Sequence, residues 1–174
     1  MRSHQDFLPT LDLVIEVDGQ IVGNIMYTKA KLVDEAGEEK DILTFGPVCI
    51  LPEYQRLGYG KQLMEESFER AAALGYDVIV IFGNPGNYVS RGFKSCQKYN
   101  ICLENEIYPT AMLVKELKTG VLDGRKWMYR QSSVMEIDVE EAEHFDQTLD
   151  SLEKQYQPSQ EEFFIYSHST IQSG

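Results

Sequence analysis

Residues 47–66, PVCILPEYQRLGYGKQLMEE, change character twice within a short stretch. An apolar run gives way to a loop with Pro and Tyr, then to two glycines, and then to a helix-like pattern. Where a loop enters a helix through glycines, the first backbone N–H groups lack partners within the helix, and the macrodipole adds partial positive charge. Gly58 and Gly60 leave room for a phosphate, and Arg56 and Lys61 add charge. The stretch therefore predicts a pyrophosphate site, with a turn glycine and an ordinary helix start as the alternative.

Two better-known phosphate-binding loops do not fit this spacing. A dinucleotide fingerprint needs a third glycine where Leu63 stands, and an acidic residue at the end of the next strand, where Phe82 and Gly83 stand. A Walker A loop needs glycine in place of Gln55 and Ser or Thr in place of Gln62. The pair of glycines alone does not identify the ligand.

A hairpin and a bent strand are predicted upstream of this site. Two β-rich runs, 11–17 and 20–33, flank Asp18–Gly19, which is a strong signal for a tight turn. A third strand over 41–51 contains Gly46–Pro47. Because Pro cannot donate to a ladder and Gly weakens one, this strand is expected to bend there and to part from a neighbour.

The site itself opens a helix that is followed by a buried strand. Residues 58–75 show the apolar spacing of an amphipathic helix. Its predicted apolar positions are Leu63, Met64, Phe68, Ala71 and Leu74. Residues 76–83, YDVIVIFG, read as a strand that is buried on both faces and runs parallel to the strand before the helix. Strand, helix and strand then form a right-handed crossover.

The rest of the chain is expected to complete one domain and an extension. Weaker strand candidates lie at 99–103, 111–117 and 127–135, an acidic helix at 138–154, and a short helix or docked tail at 158–169. We divide the chain into a domain over 1–120 and an acidic extension over 121–174 that packs on it. Tyr108, Trp127 and Tyr129 either line an acceptor pocket or fill the core, and the core is favoured.

The composition of the chain limits the kinds of partner and location that we expect for the protein. The net charge is −12, and residues 136–162 hold ten Asp or Glu against one Lys. Such a chain would repel a phosphate backbone, so we expect no nucleic acid partner; a cationic acceptor, or simply a solvated acidic helix, fits instead. No apolar run is long enough for a membrane span or a signal peptide, which predicts a cytoplasmic protein. The three cysteines have no metal-like spacing and are expected to be reduced and mostly buried, with no bound metal. Cys49 in particular is expected to be a buried thiol rather than a nucleophile.

Two motifs together resemble the GNAT superfamily of N-acetyltransferases. Gln55, Gly58 and Gly60 match its acetyl-CoA-binding signature Q/R-x-x-G-x-G/A. The later stretch 82–93, FGNPGNYVSRGF, is similar to its second signature, an Asn followed by a Tyr four residues before Gly-Phe. The resemblance covers roughly residues 11–117. It implies an α/β (α+β) fold with a mixed, largely antiparallel sheet, whose two central parallel strands splay apart between flanking helices to take the pantetheine arm of acetyl-CoA.

The resemblance also implies roles for particular residues. The backbone of Val48, Cys49 and Ile50 would pair with the pantetheine, and N–H groups near Cys49 and Ile50 would stabilise the oxyanion. The pyrophosphate would be held by Gln55, Arg56, Leu57, Gly58, Tyr59, Gly60 and Lys61. Asn84 would contact the arm, and Tyr88 would lie near the thioester sulfur as the general acid, unless it only packs the loop. No general base can be named, since neither Glu53 nor Asp41 has a catalytic spacing.

The implied activity is transfer of the acetyl group from acetyl-CoA to a primary amine of a small-molecule or peptide acceptor, by direct attack in a ternary complex. The family's fold opens with a strand and one or two helices that wall the acceptor site, whereas here the hairpin begins by about residue 11. We therefore expect these elements to be missing, and the exposed sheet to favour a homodimer. An acyl-CoA-binding or interaction module without turnover is the alternative.

Overall fold

In the computed structural model of the protein, which describes residues 1–149 and 156–172, eight strands form one mixed sheet. The strands are β1 (Leu13–Val17), β2 (Gln20–Asp34), β3 (Glu39–Ile50), β4 (Val78–Phe82), β5 (Lys94–Ser95), β6 (Ile101–Cys102), β7 (Met112–Glu116) and β8 (Trp127–Arg130). The α-helices in this part of the chain are α1 (Tyr59–Ala73), α2 (Pro85–Tyr88), α3 (Val139–Asp146) and α4 (Pro158–Ser167).

The sheet has the order β5-β7-β4-β3-β2-β8-β6, and β1 also pairs with β2. The β3–β4 and β6–β8 pairs are parallel, and the other pairs are antiparallel. The mixed, largely antiparallel sheet with a central parallel pair is therefore confirmed.

The predicted bend lies in β3 at Gly46–Pro47. Opposite it, the register with β2 shifts between Ile25 and Tyr27. The parallel register of β3 with β4 in the described residues consists of Leu43 opposite Ile79, and the two strands part beyond that point. The central strands thus splay, as the resemblance implied.

Helix α1 packs on one face of the sheet through Leu63, Met64, Ser67, Phe68 and Ala71. Leu74 was predicted on this apolar face but is 49% exposed. The helix ends at Ala73, and Gly75 takes a φ of 89°, so the chain turns before Leu74 can reach the core. Phe45 of β3 joins this side of the core, with its ring centroid 5.2 Å from that of Tyr27 and 6.5 Å from that of Phe68.

The opposite face of the sheet carries a second core cluster. Trp127 is fully buried, and Tyr129 and Tyr108 are 5% and 7% exposed. These three aromatic residues fill the core, as favoured from the sequence. Strand β8 places two of them beside β2, which it pairs with from Lys31 to Asp34.

Several weak strand predictions were too long or incomplete. The candidate at 99–103 contains only the two-residue strand β6, and the candidate at 127–135 ends as a strand at Arg130. The short strand β5 was not predicted at all. A strand of two residues is too short for the alternation that identifies a strand in a sequence.

The free side of β2 is covered along most of its length. Strand β1 pairs with it from Gln20 to Ile25, and β8 pairs with it from Lys31 to Asp34. Between them, Phe7 forms an antiparallel bridge with Thr28. The open edge expected from the short N-terminal region is therefore not found on β2, and the homodimer stays a prediction.

The acidic C-terminal region forms two helices in its described parts. Helix α3 covers part of the predicted helix 138–154, of which residues 150–154 lie outside the described residues. Helix α4 begins at Pro158, and the chain after it returns to the sheet, with Thr170 bridging Pro109. Strand β8 lies beyond residue 120 but belongs to the same sheet. The predicted division of the chain at that residue therefore stays a proposal.

Helix α1 is joined to β2 by a buried hydrogen bond of 2.7 Å between the hydroxyl groups of Tyr27 and Ser67. We predict that Ser67→Ala lowers the free energy of unfolding by about 1–3 kcal/mol, because the Tyr27 hydroxyl is left buried without a partner. Adding Tyr27→Phe should recover part of this loss. Urea denaturation measures the free energy of unfolding of the single and the double variant. A Ser67→Ala variant as stable as the parent would contradict the prediction.

Candidate cofactor and catalytic site

A cavity of about 480 Å³ lies where β3 and β4 part. Nine of the twelve predicted site residues line it: Val48, Cys49, Ile50, Gln55, Arg56, Gly58, Gly60, Lys61 and Tyr88. Leu57, Tyr59 and Asn84 are not among its lining residues. The two sequence motifs thus meet across one cavity, on the α1 side of the sheet.

The wall contributed by β3 has backbone groups that face the gap. The Leu51 N–H donates to the Val22 carbonyl of the β2 side over 2.8 Å. Because antiparallel ladder bonds alternate along a strand, the N–H and C=O of Cys49 also face β2, whereas those of Val48 and Ile50 face away from it. The Gln55 side chain donates to the outward Ile50 carbonyl over 2.9 Å. This side chain ties the loop to the strand end.

The turn before α1 is shaped by left-handed backbone conformations. Arg56 has a φ of 62° and Gly58 a φ of 93°. The Gln62 N–H donates to the Gly58 carbonyl over 3.0 Å, so the N–H groups of residues 59–61 precede the ladder of the helix. Gly58 has no side chain to cap them. These groups and the dipole of a 15-residue helix are suited to bind an anion.

The other loop residues contribute in different ways. A Cβ at Gly60 would lie 3.5 Å from Ile50, an ordinary contact, so the fold itself does not require glycine there. Leu57 is 65% exposed, and the Tyr59 ring lies 6.0 Å from the Tyr54 ring outside the cavity lining. Leu57 and Tyr59 can therefore serve an anion through their backbone only.

Tyr88 is packed into the aromatic core of the α1 side. Its ring centroid lies 5.9 Å from that of Phe45 and 5.8 Å from that of Phe93. A Cβ at Gly83 would come within 2.6 Å of the Tyr88 ring, so this close packing requires glycine. Burial raises the pKa of the phenol, which keeps it protonated. Its hydroxyl has no hydrogen-bond partner among the described residues.

Asn84 has a structural role in this arrangement. Its Oδ1 accepts a hydrogen bond of 2.8 Å from the Gly86 N–H and caps α2. Its Nδ2 donates to Oε2 of Glu162 in α4, also over 2.8 Å. Both polar groups of the side chain are therefore bonded within the protein, and the expected contact with the pantetheine arm stays a prediction.

Arg91 lines the cavity and was missed by the sequence reasoning, although it lies within the second motif. Its Nε is buried and has no hydrogen-bond partner in the described part of the chain. Its carbonyl accepts a hydrogen bond of 2.8 Å from Nζ of Lys115, which lies 5.0 Å from the Phe68 ring centroid. Burial lowers the pKa of Lys115. Arg91 is thus a third cation of the cavity, held by its backbone.

The thiols differ from the prediction at one position. Cys96 and Cys102 are buried, but Cys49 is exposed. The expectation of a buried Cys49 was wrong, because β3 loses its neighbour β4 before this residue. Burial raises the pKa of Cys96 to about 11, so that thiol stays neutral.

Two kinds of feature are absent from the described residues. Among residues 1–149 and 156–172, no cluster of three or more His, Cys, Asp or Glu has a metal-binding arrangement. In the same part of the chain, no helix combines the length and the apolar character needed to cross a bilayer.

The fold and site can be compared with known proteins. Residues 11–95 match the family model of the acetyltransferase (GNAT) domain. The uncharacterized N-acetyltransferase YjhQ of Escherichia coli strain K12 is 28% identical over 88 residues, which are 51% of this chain and 48% of YjhQ. The chain therefore matches about half the length of that relative. The uncharacterized N-acetyltransferase YhbS of the same strain is 26% identical over 121 residues, covering 69% of this chain and 71% of YhbS.

Two solved structures share the fold. The Escherichia coli GNAT family N-acetyltransferase YhbS in complex with CoA superimposes with a TM-score of 0.60 and 22% identity, over 68% of this chain and 65% of that chain. A GNAT family acetyltransferase from Brucella melitensis in complex with acetyl-CoA gives a TM-score of 0.52 and 23% identity, over 71% of this chain and 66% of that one. At these identities the likeness supports the fold alone.

The turn at Gly58 offers a test of the anion site. Gly58→Ala forces a side chain into a left-handed conformation, and we predict about 1 kcal/mol of lost stability and roughly tenfold weaker acetyl-CoA binding. Gly75→Ala is the matched control, because Gly75 has a φ of 89° and the same open surroundings but lies at the other end of α1. Calorimetric titration with acetyl-CoA should show weaker binding for Gly58→Ala than for Gly75→Ala. Equal loss of affinity in both variants would contradict the prediction.

Arg91 allows an independent test of the same cavity. Loss of a charge-assisted contact to phosphate should make Arg91→Gln bind acetyl-CoA about tenfold more weakly. Arg70→Gln is the control, because Arg70 is an exposed cation on α1 that pairs with Glu66 over 2.7 Å. Titrations of both variants at one fixed salt concentration check this. Unchanged affinity in Arg91→Gln would exclude a phosphate contact at Arg91.

Proposed function

We propose that the chain, whose residues 11–95 match the family model of the acetyltransferase (GNAT) domain, transfers the acetyl group of acetyl-CoA to a primary amine by direct attack in a ternary complex. The observation that carries this proposal is a single cavity that joins an open strand edge, a glycine-rich helix start and Tyr88. Each of these parts meets a different need of the thioester substrate.

The strand would bind the pantetheine arm of acetyl-CoA, and the start of the helix would bind its pyrophosphate. The outward backbone groups of Val48 suit an amide of the pantetheine arm, which would lie in the gap like an added strand, while the Ile50 carbonyl already accepts from Gln55. The N–H groups of residues 59–61 suit the pyrophosphate, with charge from Arg56 and Lys61. Acetyl-CoA is then a co-substrate, and no metal is needed for its binding.

The transfer itself needs little beyond these groups. The lone pair of the neutral amine nitrogen attacks the thioester carbonyl, a C–N bond forms, and the C–S bond breaks with its electron pair on sulfur. The Ile50 N–H faces the gap and suits the oxyanion of the tetrahedral intermediate. Tyr88 gives its phenolic proton to the leaving thiolate, and the proton lost by nitrogen returns through solvent to the phenolate. The products are an N-acetylated amine and CoA thiol.

The acceptor is proposed as a small or peptidic primary amine. Its attack requires a neutral nitrogen, whereas a free amine has a pKa near 10.4 for a lysine-like group. The rate should therefore rise with pH while more of the amine loses its proton. Cytoplasmic location and a homodimer stay predictions of the sequence.

Removing the phenolic hydroxyl tests the role of Tyr88. We predict that Tyr88→Phe lowers kcat about a hundredfold, the usual size of a general-acid effect, while acetyl-CoA affinity stays close to that of the parent. Because burial raises the Tyr88 pKa, loss of the acid form with rising pH should begin at a higher pH than for a free phenol, so the parent's activity should be maintained further into the range from pH 7 to pH 10. CoA thiol release measured over this range checks both statements.

The same assay separates the two candidate functions. Acetyl-CoA binding with CoA release that is abolished by Tyr88→Phe supports the transferase. Binding without release over a broad panel of amines would favour the acyl-CoA-binding module. Absence of saturable acetyl-CoA binding at millimolar ligand would reject both.

A further inference from the structure

The short helix α2 contributes two residues to the cavity wall but has little to hold its own shape. It spans four residues, and both Asn87 and Tyr88 line the cavity. Isolated helices of fewer than about 12 residues are marginal in water, because the first turn fixes several residues for one hydrogen bond. The position of Tyr88 therefore depends on the groups that hold the start of α2, as well as on its aromatic neighbours.

Asn84 holds the start of α2 through its side chain and its backbone. Its Oδ1 accepts from the Gly86 N–H over 2.8 Å, and its carbonyl accepts from the Asn87 N–H over 3.0 Å. Its Nδ2 donates to Oε2 of Glu162 over 2.8 Å. A carboxylate only accepts and a backbone N–H only donates, so a reversed amide would lose both side-chain bonds. Gly86 and Glu162 together thus fix the amide in one orientation.

Glu162 belongs to α4, and the chain that follows α4 is tied to the sheet. The Thr110 N–H donates to the Ser169 carbonyl over 2.9 Å. The Ile171 N–H donates to the Tyr108 carbonyl over 2.8 Å, and the Ile171 side chain packs against the buried core. The helix therefore presents its carboxylate to Asn84 from an anchored support.

We propose that Glu162 is a positioning residue, which acts through Asn84 to hold α2, and with it the Tyr88 hydroxyl, in the place that acetyl transfer requires. This inference rests on the proposed function. A general acid has to lie within hydrogen-bond reach of the leaving sulfur, and a displacement of about 1 Å can lower a rate strongly. The proton transfer stays with Tyr88, and Glu162 contacts neither substrate in this role.

Exchanging the two partners tests the role. Asn84→Asp keeps an oxygen to cap α2 but places a second carboxylate against Glu162, so kcat for CoA release should fall about fivefold. Adding Glu162→Gln restores a donor and an acceptor in reversed order, and kcat should return to within about twofold of the parent. Acetyl-CoA affinity should stay close to that of the parent in both variants.

The matched control changes the neighbouring exposed carboxylate instead. Asn84→Asp combined with Glu161→Gln should stay as slow as Asn84→Asp alone, because Glu162 is the residue that accepts from Asn84. Urea denaturation of all four proteins shows whether kcat follows the folded fraction. A positioning role requires kcat to change while the folded fraction at the assay temperature does not.

Three results would overturn the positioning role and leave the transferase intact. The first is an Asn84→Asp variant as fast as the parent. The second is a loss of kcat that follows the loss of folded protein. The third is a loss that Glu162→Gln does not recover; if acetyl-CoA binding is weakened as well, that result assigns Asn84 to the pantetheine arm.

A parent that releases no CoA with any amine would reject the transferase, and amide hydrogen exchange then decides whether Glu162 holds α2. Glu162→Ala should speed exchange of the Gly86 and Asn87 N–H groups several-fold, whereas Glu161→Ala should leave it unchanged. Equal exchange in the parent and in Glu162→Ala would show that Glu162 does not hold the helix.

Discussion

The site depends on the parting of β3 from β4 after the single register pair of Leu43 and Ile79. Up to that pair the strands share a ladder, and beyond it β3 keeps β2 on one side and has an open side on the other. Gly46–Pro47 lies at the register shift of β3 against β2, which bends β3 close to where the parallel strands separate. Phe45 and Tyr88 pack in the core beside the gap. The gap is thus a consequence of strand pairing and core packing together.

The charged side chains that line the cavity are positive, whereas the chain as a whole is negatively charged. The chain has a net charge of −12, yet the cavity is lined by Arg56, Lys61 and Arg91 and by a helix N-terminus. An anionic co-substrate is attracted locally even though the protein as a whole repels it.

The features that could be predicted from the sequence are those with a strong local signal. The hairpin at Asp18–Gly19, the helix α1 and the buried strand β4 each follow from periodicity and turn chemistry. Gly46–Pro47 indicates by itself that β3 bends and can part from a neighbour. The glycine loop was indicated by residues that no ordinary turn needs, although identification of its ligand required the second motif.

The remaining features depend on contacts between distant residues. Arg91 carries no periodic signal, and its place in the cavity follows from Lys115 holding its carbonyl. Cys49 is exposed because its strand loses a neighbour, which composition cannot indicate. The bond between Asn84 and Glu162 spans 78 residues of sequence, so it could be found only in the fold.

Residue-resolved amide hydrogen exchange can determine whether the open side of β3 takes the pantetheine arm. With acetyl-CoA bound, the amides of Val48 and Ile50 should exchange more slowly, as should those of residues 59–61. The amide of Cys49, which faces β2, should change little. Unchanged exchange at Val48 and Ile50 in protein saturated with acetyl-CoA, or protection that falls elsewhere on the sheet, would show that the pantetheine arm does not bind along β3.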